Sequence, residues 1–151
     1  MQSTFEITQG PQLSLMENEL GIGNGILISD KQLNENMHEV QKRNSLALSD
    51  IQDGMRSFCI EMETGTGKTY VYTKTVFELH KRYGFTKFIV VVPSVAIREG
   101  VYKSLETTRE HFLNQYDNVP YRYFIYNSAK LSEVKQFATS SNIEIMIINI
   151  D

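Results

Sequence analysis

The sequence predicts an α/β fold in which a mostly parallel sheet is flanked by helices. Three observations predict it. Dense runs of β-branched residues at 88–92 and 143–150 suit strands buried on both faces. Segments of helical periodicity alternate with those runs, the order that right-handed crossovers between parallel strands require. A glycine-rich stretch, Glu63-Thr64-Gly65-Thr66-Gly67-Lys68-Thr69, stands between a short apolar run and a helical pattern, where such a sheet carries a phosphate-binding loop.

Residues 1–57 differ in texture from the rest, being rich in Asn, Gln, Ser and acidic side chains, and read as a lead-in. Within them Ile26-Leu27-Ile28 suits a short strand, and residues 31–44 a helix with Leu33, Met37 and Val40 on one face. Gly21-Ile22-Gly23-Asn24-Gly25 has Ile26 where a dinucleotide loop needs a third glycine, so it reads as a flexible turn.

Phe58-Cys59-Ile60, ending in Glu61 and Met62, suits a buried strand that feeds the glycine loop. Cys59, the single cysteine, then belongs to core packing, and one thiol can build neither a disulfide framework nor a thiol metal site within the chain. After the loop, Val71, Tyr72, Thr75, Val76, Leu79 and Tyr83 recur at helical spacing, opposite Lys74, Glu78, Lys81 and Arg82. Gly84 follows as a C′ residue.

The pattern then repeats. The strand at 88–92 closes with Pro93 and Ser94, and Ile97, Val101, Leu105, Thr108 and Phe112 mark one helix face. A polar loop at 114–120 leads to a third strand at 121–126. Leu131, Val134, Phe137 and Ala138 outline a short helix, Ser140-Ser141-Asn142 a turn, and residues 143–150 a fourth strand. Sites in such sheets gather at the carboxyl ends of the strands: the loop at 64–69, Pro93-Ser94, the Tyr126-Asn127-Ser128 corner and Asn149-Ile150-Asp151.

At 151 residues and 41% hydrophobic content the chain is the size of one domain with one core. A net charge of −3 argues against coating nucleic acid or anionic membrane by bulk charge, so any DNA contact must be local. The N-terminus lacks the basic and apolar regions of a signal peptide and no apolar stretch approaches membrane-spanning length, which predicts a cytoplasmic protein with no membrane partner.

The chemistry of the loop follows from its residue types. Gly65 and Gly67 allow a tight turn that aims successive N–H groups at phosphate oxygens, with Thr64 and Thr66 between and beside them. Lys68 supplies a point charge, and the Thr69 hydroxyl can ligate Mg²⁺ carried by a nucleotide such as ATP. The strict phosphate-loop pattern wants glycine where this chain has Met62. The core Gly-x-Gly-Lys-Thr still arises by accident in such a chain only about once in a few hundred cases, and the helix dipole adds to its attraction for phosphate. The bland reading is a glycine turn that only joins strand to helix.

A second motif narrows the class. Val91-Val92-Pro93-Ser94-Val95-Ala96-Ile97-Arg98-Glu99-Gly100 resembles motif Ia of superfamily 2 helicases and translocases, where a strand ends in proline and the next turn grips one DNA strand. Ser94 would offer a hydroxyl and helix-terminal N–H groups to a phosphate, and Arg98 a charge-assisted contact. Alternatively Ser94 is a plain helix N-cap and Arg98 part of a solvated face.

Together with the glycine-loop block from Glu61 to Tyr72 and the terminal Met146-Ile147-Ile148-Asn149-Ile150-Asp151, this block closely resembles the restriction (Res) subunit of type III restriction–modification enzymes, from about Glu39 onward. The resemblance implies that residues 58–151 are the first part of a RecA-like ATPase domain. It implies a larger subunit that hydrolyses ATP with Mg²⁺, moves on double-stranded DNA with a methyltransferase partner, and cuts through a separate nuclease domain. By it, Lys68 would hold the β- and γ-phosphates, Thr69 the Mg²⁺, and residues 64–69 the phosphate chain. Ser94 and Arg98 would touch the DNA track. Gln41 and Gln52 are candidates to meet adenine.

No two acidic residues are adjacent anywhere in the chain, although such a motor needs a carboxylate pair to hold Mg²⁺ and position water. Asp151 ends an apolar strand as such a carboxylate would, yet in the family this Asn-Ile-Asp block looks like a segment preceding that motif, another DNA-contact region; the alternative is an ordinary strand end. The chain is therefore expected to be an N-terminal piece of a Res subunit that binds ATP weakly and hydrolyses it little. Two other readings are a free-standing kinase-like enzyme, whose lid arginine and acceptor carboxylate are not evident, and a decayed, non-catalytic interaction module.

Overall fold

A computed structural model describes residues 28–51 and 58–150. The chain divides into two compact units, Met1–Glu61 and Met62–Asp151.

In the first unit, helix α1 spans Asp30–Arg43. Ser29 starts it, its side chain accepting the Gln32 N–H, and Asp30 and the Lys42–Arg43 pair lie at the ends the helix dipole favours. Leu33 and Met37 are half-buried, whereas Val40 is exposed. The chain then turns at Ser45 (φ 56°) and is fastened back along the helix. His38 bonds the Ser49 carbonyl at 3.0 Å, and the Asn34 side chain accepts the Ile51 N–H at 2.8 Å. Of the expected short strand at 26–28, Ile26 and Leu27 lie outside the described residues, as does the turn at 21–25.

The expected strand at Phe58-Cys59-Ile60 does not form. Residues 58–63 carry no regular structure, Phe58 and Ile60 are 52% and 80% exposed, and Cys59 is exposed rather than in a core. A run this short becomes a strand only inside a ladder that takes its N–H and C=O groups, and among the described residues it belongs to none.

The second unit holds helix α2 (Lys68–Tyr83), strand β1 (Lys87–Val92), helices α3 (Val95–Thr107) and α4 (Arg109–Gln115), strand β2 (Tyr121–Ile125), helix α5 (Leu131–Thr139) and strand β3 (Ile143–Asn149). The strands form one parallel sheet in the order β1-β3-β2, with Val90 and Ile125 both level with Ile147. This is the α/β architecture that the alternating pattern predicts. Gly84 closes α2 in the left-handed region (φ 74°), its N–H on the His80 carbonyl.

Register fixes the two sheet faces. On one, Val92, Tyr121, Ile143, Ile145 and Ile147 are buried with Val76 and Phe77 of α2, Val101 and Leu105 of α3, and Phe112 and Tyr116 around α4. Phe77 is the hub of this core. It stacks on Phe112 at 5.2 Å and on Tyr116 at 4.9 Å and takes Tyr121 edge-on at 5.0 Å, the offset and T-shaped geometries that ring quadrupoles favour. The inward face of α2 therefore differs from the expected one: Thr73 and Phe77 are buried, while Val71 and Thr75 are exposed. Both stripes carry apolar residues, and the aromatic cluster decides between them.

The opposite face is only partly covered. There α5 places Phe137 on Phe124 at 6.0 Å, above a buried ion pair in which Arg122 reaches Glu144 at 2.8 Å. Lys87 lies over the Phe137 ring and donates to the Ser140 carbonyl; burial pulls its pKa down, against the pull of the Glu144 charge. Farther along β1, Ile89 and Val91 are 56% and 57% exposed, so the cover on both faces that the sequence predicts is incomplete in the described residues.

The helix expected across 97–112 is two helices. Thr107 and Thr108 turn their hydroxyls back onto the Lys103 and Ser104 carbonyls at 2.9 and 2.8 Å where α3 gives way to α4. Asp117 and Asn118, both at positive φ, make the turn into β2, residue types that tolerate this region. Among the described residues no helix is long and apolar enough to cross a membrane.

Candidate functional site

The glycine loop enters α2 directly. Gly67 stands at the helix N-cap with φ 90° and ψ 28°, and Gly65 has φ 82°. These are backbone conformations that side-chain-bearing residues rarely adopt, which explains glycine at both places. Thr66 steadies the turn, its hydroxyl donating to the Glu63 carbonyl at 2.7 Å. Among the described residues no side chain caps α2, so the first-turn N–H groups emerge at the positive end of the helix dipole. Lys68 lies back across the loop with its ammonium on the Met62 carbonyl at 2.8 Å.

Thr64, Gly65, Thr66, Gly67 and Lys68 are exposed and Thr69 is half-buried. Behind Thr69, its carbonyl accepts the Thr73 hydroxyl at 2.7 Å. Burial pushes the pKa of the enclosed Tyr72 hydroxyl up, and the Thr69 side chain acts in the opposite direction. Tyr70 fixes the loop's helix to α4, its hydroxyl 2.9 Å from His111 Nε2 and its ring 5.2 Å from Phe112.

At the end of β1, Ser94 is the N-cap of α3, and its hydroxyl accepts the Ile97 N–H at 3.4 Å. Arg98 is no solvated helix residue. Its side chain is 21% exposed, donates from Nη1 to Asn149 Oδ1 at 2.8 Å, and meets the Glu99 carboxylate at 2.9 Å through Nη2. The carboxyl ends of β2 and β3 thereby join the first turn of α3 around a cavity of about 510 Å³, lined by Arg98, Tyr126, Asn127, Lys130 and Asn149 among others.

Gln41 spends both ends of its amide on Ser49, donating to the hydroxyl at 2.9 Å and accepting the N–H at 3.2 Å. Gln52 and Asp151 lie outside the described residues. Lys130 and the Arg98–Asn149 pairing were not singled out from the sequence. The one available signal was the gathering of the Tyr126-Asn127-Ser128 corner and Asn149 at strand ends.

A parallel sheet whose helices pack across it, with a glycine loop opening an uncapped helix, defines the RecA-like α/β class. Within that class the family profile described as "Type III restriction enzyme, res subunit" matches residues 33–151, more than half of the chain, and the chain belongs to that family. The Res subunit of the type III restriction-modification enzyme EcoP15I of Escherichia coli is 41% identical over 93 residues, 59% of this chain and 10% of that protein. The EcoPI Res subunit of Escherichia phage P1 is 39% identical over 94 residues, 60% of this chain and 10% of that protein. The StyLTI Res subunit of Salmonella typhimurium is 47% identical over 68 residues, 44% of this chain and 7% of that protein. The chain thus spans a tenth or less of the curated relatives it matches.

Proposed function

We propose that residues 58–151 form the nucleotide-gripping first part of a helicase-like motor in a type III restriction Res subunit, with residues 1–57 as its lead-in. The observation that carries this reading is the uncapped N-terminus of α2, opened by two left-handed glycines and flanked by the Lys68 ammonium. The residues fit an ATP phosphate chain. N–H groups without a side-chain cap supply donors, and no Cβ crowds the loop: nothing lies within 4 Å of one built at Gly65, and only Tyr70 Cβ at 3.9 Å from one at Gly67.

In this reading Lys68 exchanges the Met62 carbonyl for phosphate oxygens, a charge-assisted bond replacing a neutral acceptor. Thr69 offers its hydroxyl to Mg²⁺, and the backbone of residues 64–69 orients the phosphates. Bound ATP with Mg²⁺ supplies the hydrolysis that drives movement on DNA. Ser94 and Arg98 face the DNA backbone, and the methyltransferase subunit is the protein partner, in the cytoplasm. The chain has no adjacent carboxylate pair, so these 151 residues by themselves bind nucleotide but turn it over slowly.

Thermal melting with and without Mg·ATP tests this. At about 100 times the dissociation constant a bound nucleotide adds roughly 2.7 kcal/mol, so the parent melts several degrees higher. Lys68→Ala, at an exposed position, folds equally well and loses most of that rise. An equal rise in Lys68→Ala, or no rise in the parent at millimolar nucleotide, refutes the reading.

A further inference from the structure

We infer that Tyr72 is a positioning residue for Mg²⁺: its enclosed hydroxyl oxygen takes the proton of the Thr69 hydroxyl and so leaves that hydroxyl's lone pairs to the metal. The inference rests on the reading of the glycine loop as a nucleotide site, and adds to that site a residue from outside the loop. Helix geometry brings the two groups together. Tyr72 follows Thr69 by three residues on α2, and a long side chain in a helix leans back toward the N-terminus, over the residues three and four before it. For Tyr72 those residues are Thr69 and Lys68. Its ring packs against the core cluster, and its hydroxyl oxygen is shut off from solvent. The Thr69 side chain acts on that oxygen as a donor, against the effect of burial.

The Thr69 hydroxyl is not spent on the helix itself. Thr73, Thr75, Thr107, Thr108 and Thr139 each donate the hydroxyl to the carbonyl four residues back, the acceptor a helix ordinarily offers a threonine. Four residues before Thr69 stands Gly65, outside the helix at φ 82°, and among the described residues Thr69 makes no such bond. Its backbone is steadied from behind by the Thr73 hydroxyl, and Thr73 is 2% exposed.

A hydroxyl that ligates Mg²⁺ gives the metal a lone pair and keeps its proton, which the cation makes a stronger donor. That proton needs an acceptor on the side away from the metal. Tyr72 Oη supplies one that water does not reach. The presence of the oxygen also calls for a reason. Phenylalanine would fill the same place against the core without enclosing a polar atom, and an enclosed hydroxyl costs stability unless it has a partner.

The affinity of the chain for a fluorescent ATP analogue, measured by anisotropy with Mg²⁺ and again with EDTA, tests the assignment. Tyr72→Phe should weaken binding of the Mg²⁺-loaded nucleotide about fivefold, the worth of one hydrogen bond, and leave the metal-free affinity at the parent's value. Thr69→Val keeps the side-chain shape without the hydroxyl and should remove most of the gain from Mg²⁺; in that background Tyr72→Phe should change nothing further. A role in packing alone would move both affinities together. If Tyr72→Phe weakens both equally, or neither, while Thr69→Val removes the gain, the role of Tyr72 is overturned and the nucleotide site stands. A parent that gains nothing from Mg²⁺, or binds no nucleotide, overturns the roles of Thr69 and Tyr72 together.

Discussion

Replacing Arg122 by alanine would leave the Glu144 carboxylate, whose side chain is 2% exposed on the central strand, without the guanidinium that reaches it at 2.8 Å. Stripping one partner from a buried pair costs about 3–5 kcal/mol, because the remaining charge is neither solvated nor compensated. Two features reduce that figure here. Arg122 is itself 29% exposed, and the Lys87 charge also acts on Glu144. Lost alongside the pair are the guanidinium's place over the Phe124 ring at 4.6 Å and its weak contact with the Glu133 carbonyl at 3.4 Å. The net expectation is a loss of about 2–3 kcal/mol, a large share of the roughly 5–15 kcal/mol that holds a domain folded. Urea denaturation followed by far-UV circular dichroism reads this as a midpoint lowered by about 1–2 M at unchanged slope. Arg122→Met combined with Glu144→Leu buries no charge and should return to within about 1 kcal/mol of the parent. An Arg122→Ala protein within about 0.5 kcal/mol of the parent, or a double variant as unstable as the single one, would refute the assignment of Arg122 as the partner that makes a carboxylate tolerable on β3.

Two further outcomes are expected. The Tyr116 hydroxyl donates to Glu78 at 2.9 Å, and burial, reinforced by that carboxylate, raises its pKa to about 12 from an ordinary 10.0. The folded state thus keeps a proton that the unfolded chain releases, and this contribution is complete below pH 10 and lost as pH rises toward 12. Tyr116→Phe should flatten the alkaline fall of stability in pH-dependent melts, and an unchanged fall would dismiss the tyrosine's part in it. Gly67→Ala and Gly84→Ala place a side chain at φ 90° and φ 74° with no close contact, so each should lose about 1 kcal/mol through backbone strain alone. In paired melts only Gly67→Ala should also lose the response to Mg·ATP, and a preserved response would remove the loop from the nucleotide site.

The sequence was most legible where its signals are local. Dense apolar runs located β1, β2 and β3 closely, period-3.6 patterns located α1, α2 and α5, and Gly84 marked the end of α2 through a requirement of its own backbone. It was less legible where partners decide. Phe58-Cys59-Ile60 has the composition of a strand but no ladder, and ladder partners are distant in sequence. The inward stripe of α2 could not be chosen between Val71-Thr75 and Thr73-Phe77 without Phe112, Tyr116 and Tyr121 in place. The break at Thr107-Thr108 is not registered by hydrophobic spacing, which runs on from Leu105 to Phe112 across it. Arg98 was picked out by motif resemblance, but its latch to Asn149 joins residues far apart in the chain and depends on β1 and β3 ending level, as Val92 and Asn149 do.

That latch has a mechanical consequence. A pull on the first turn of α3 passes through Arg98 to Asn149, at the tip of the middle strand, and runs from there along the strand's own axis. Force in that direction does not peel β3 away one hydrogen bond at a time. It loads the ladders to β1 and β2 in shear, so that many bonds must yield together, and the neighbours on both sides share the tension. Arg98 is thus anchored to a strand that is paired on both sides.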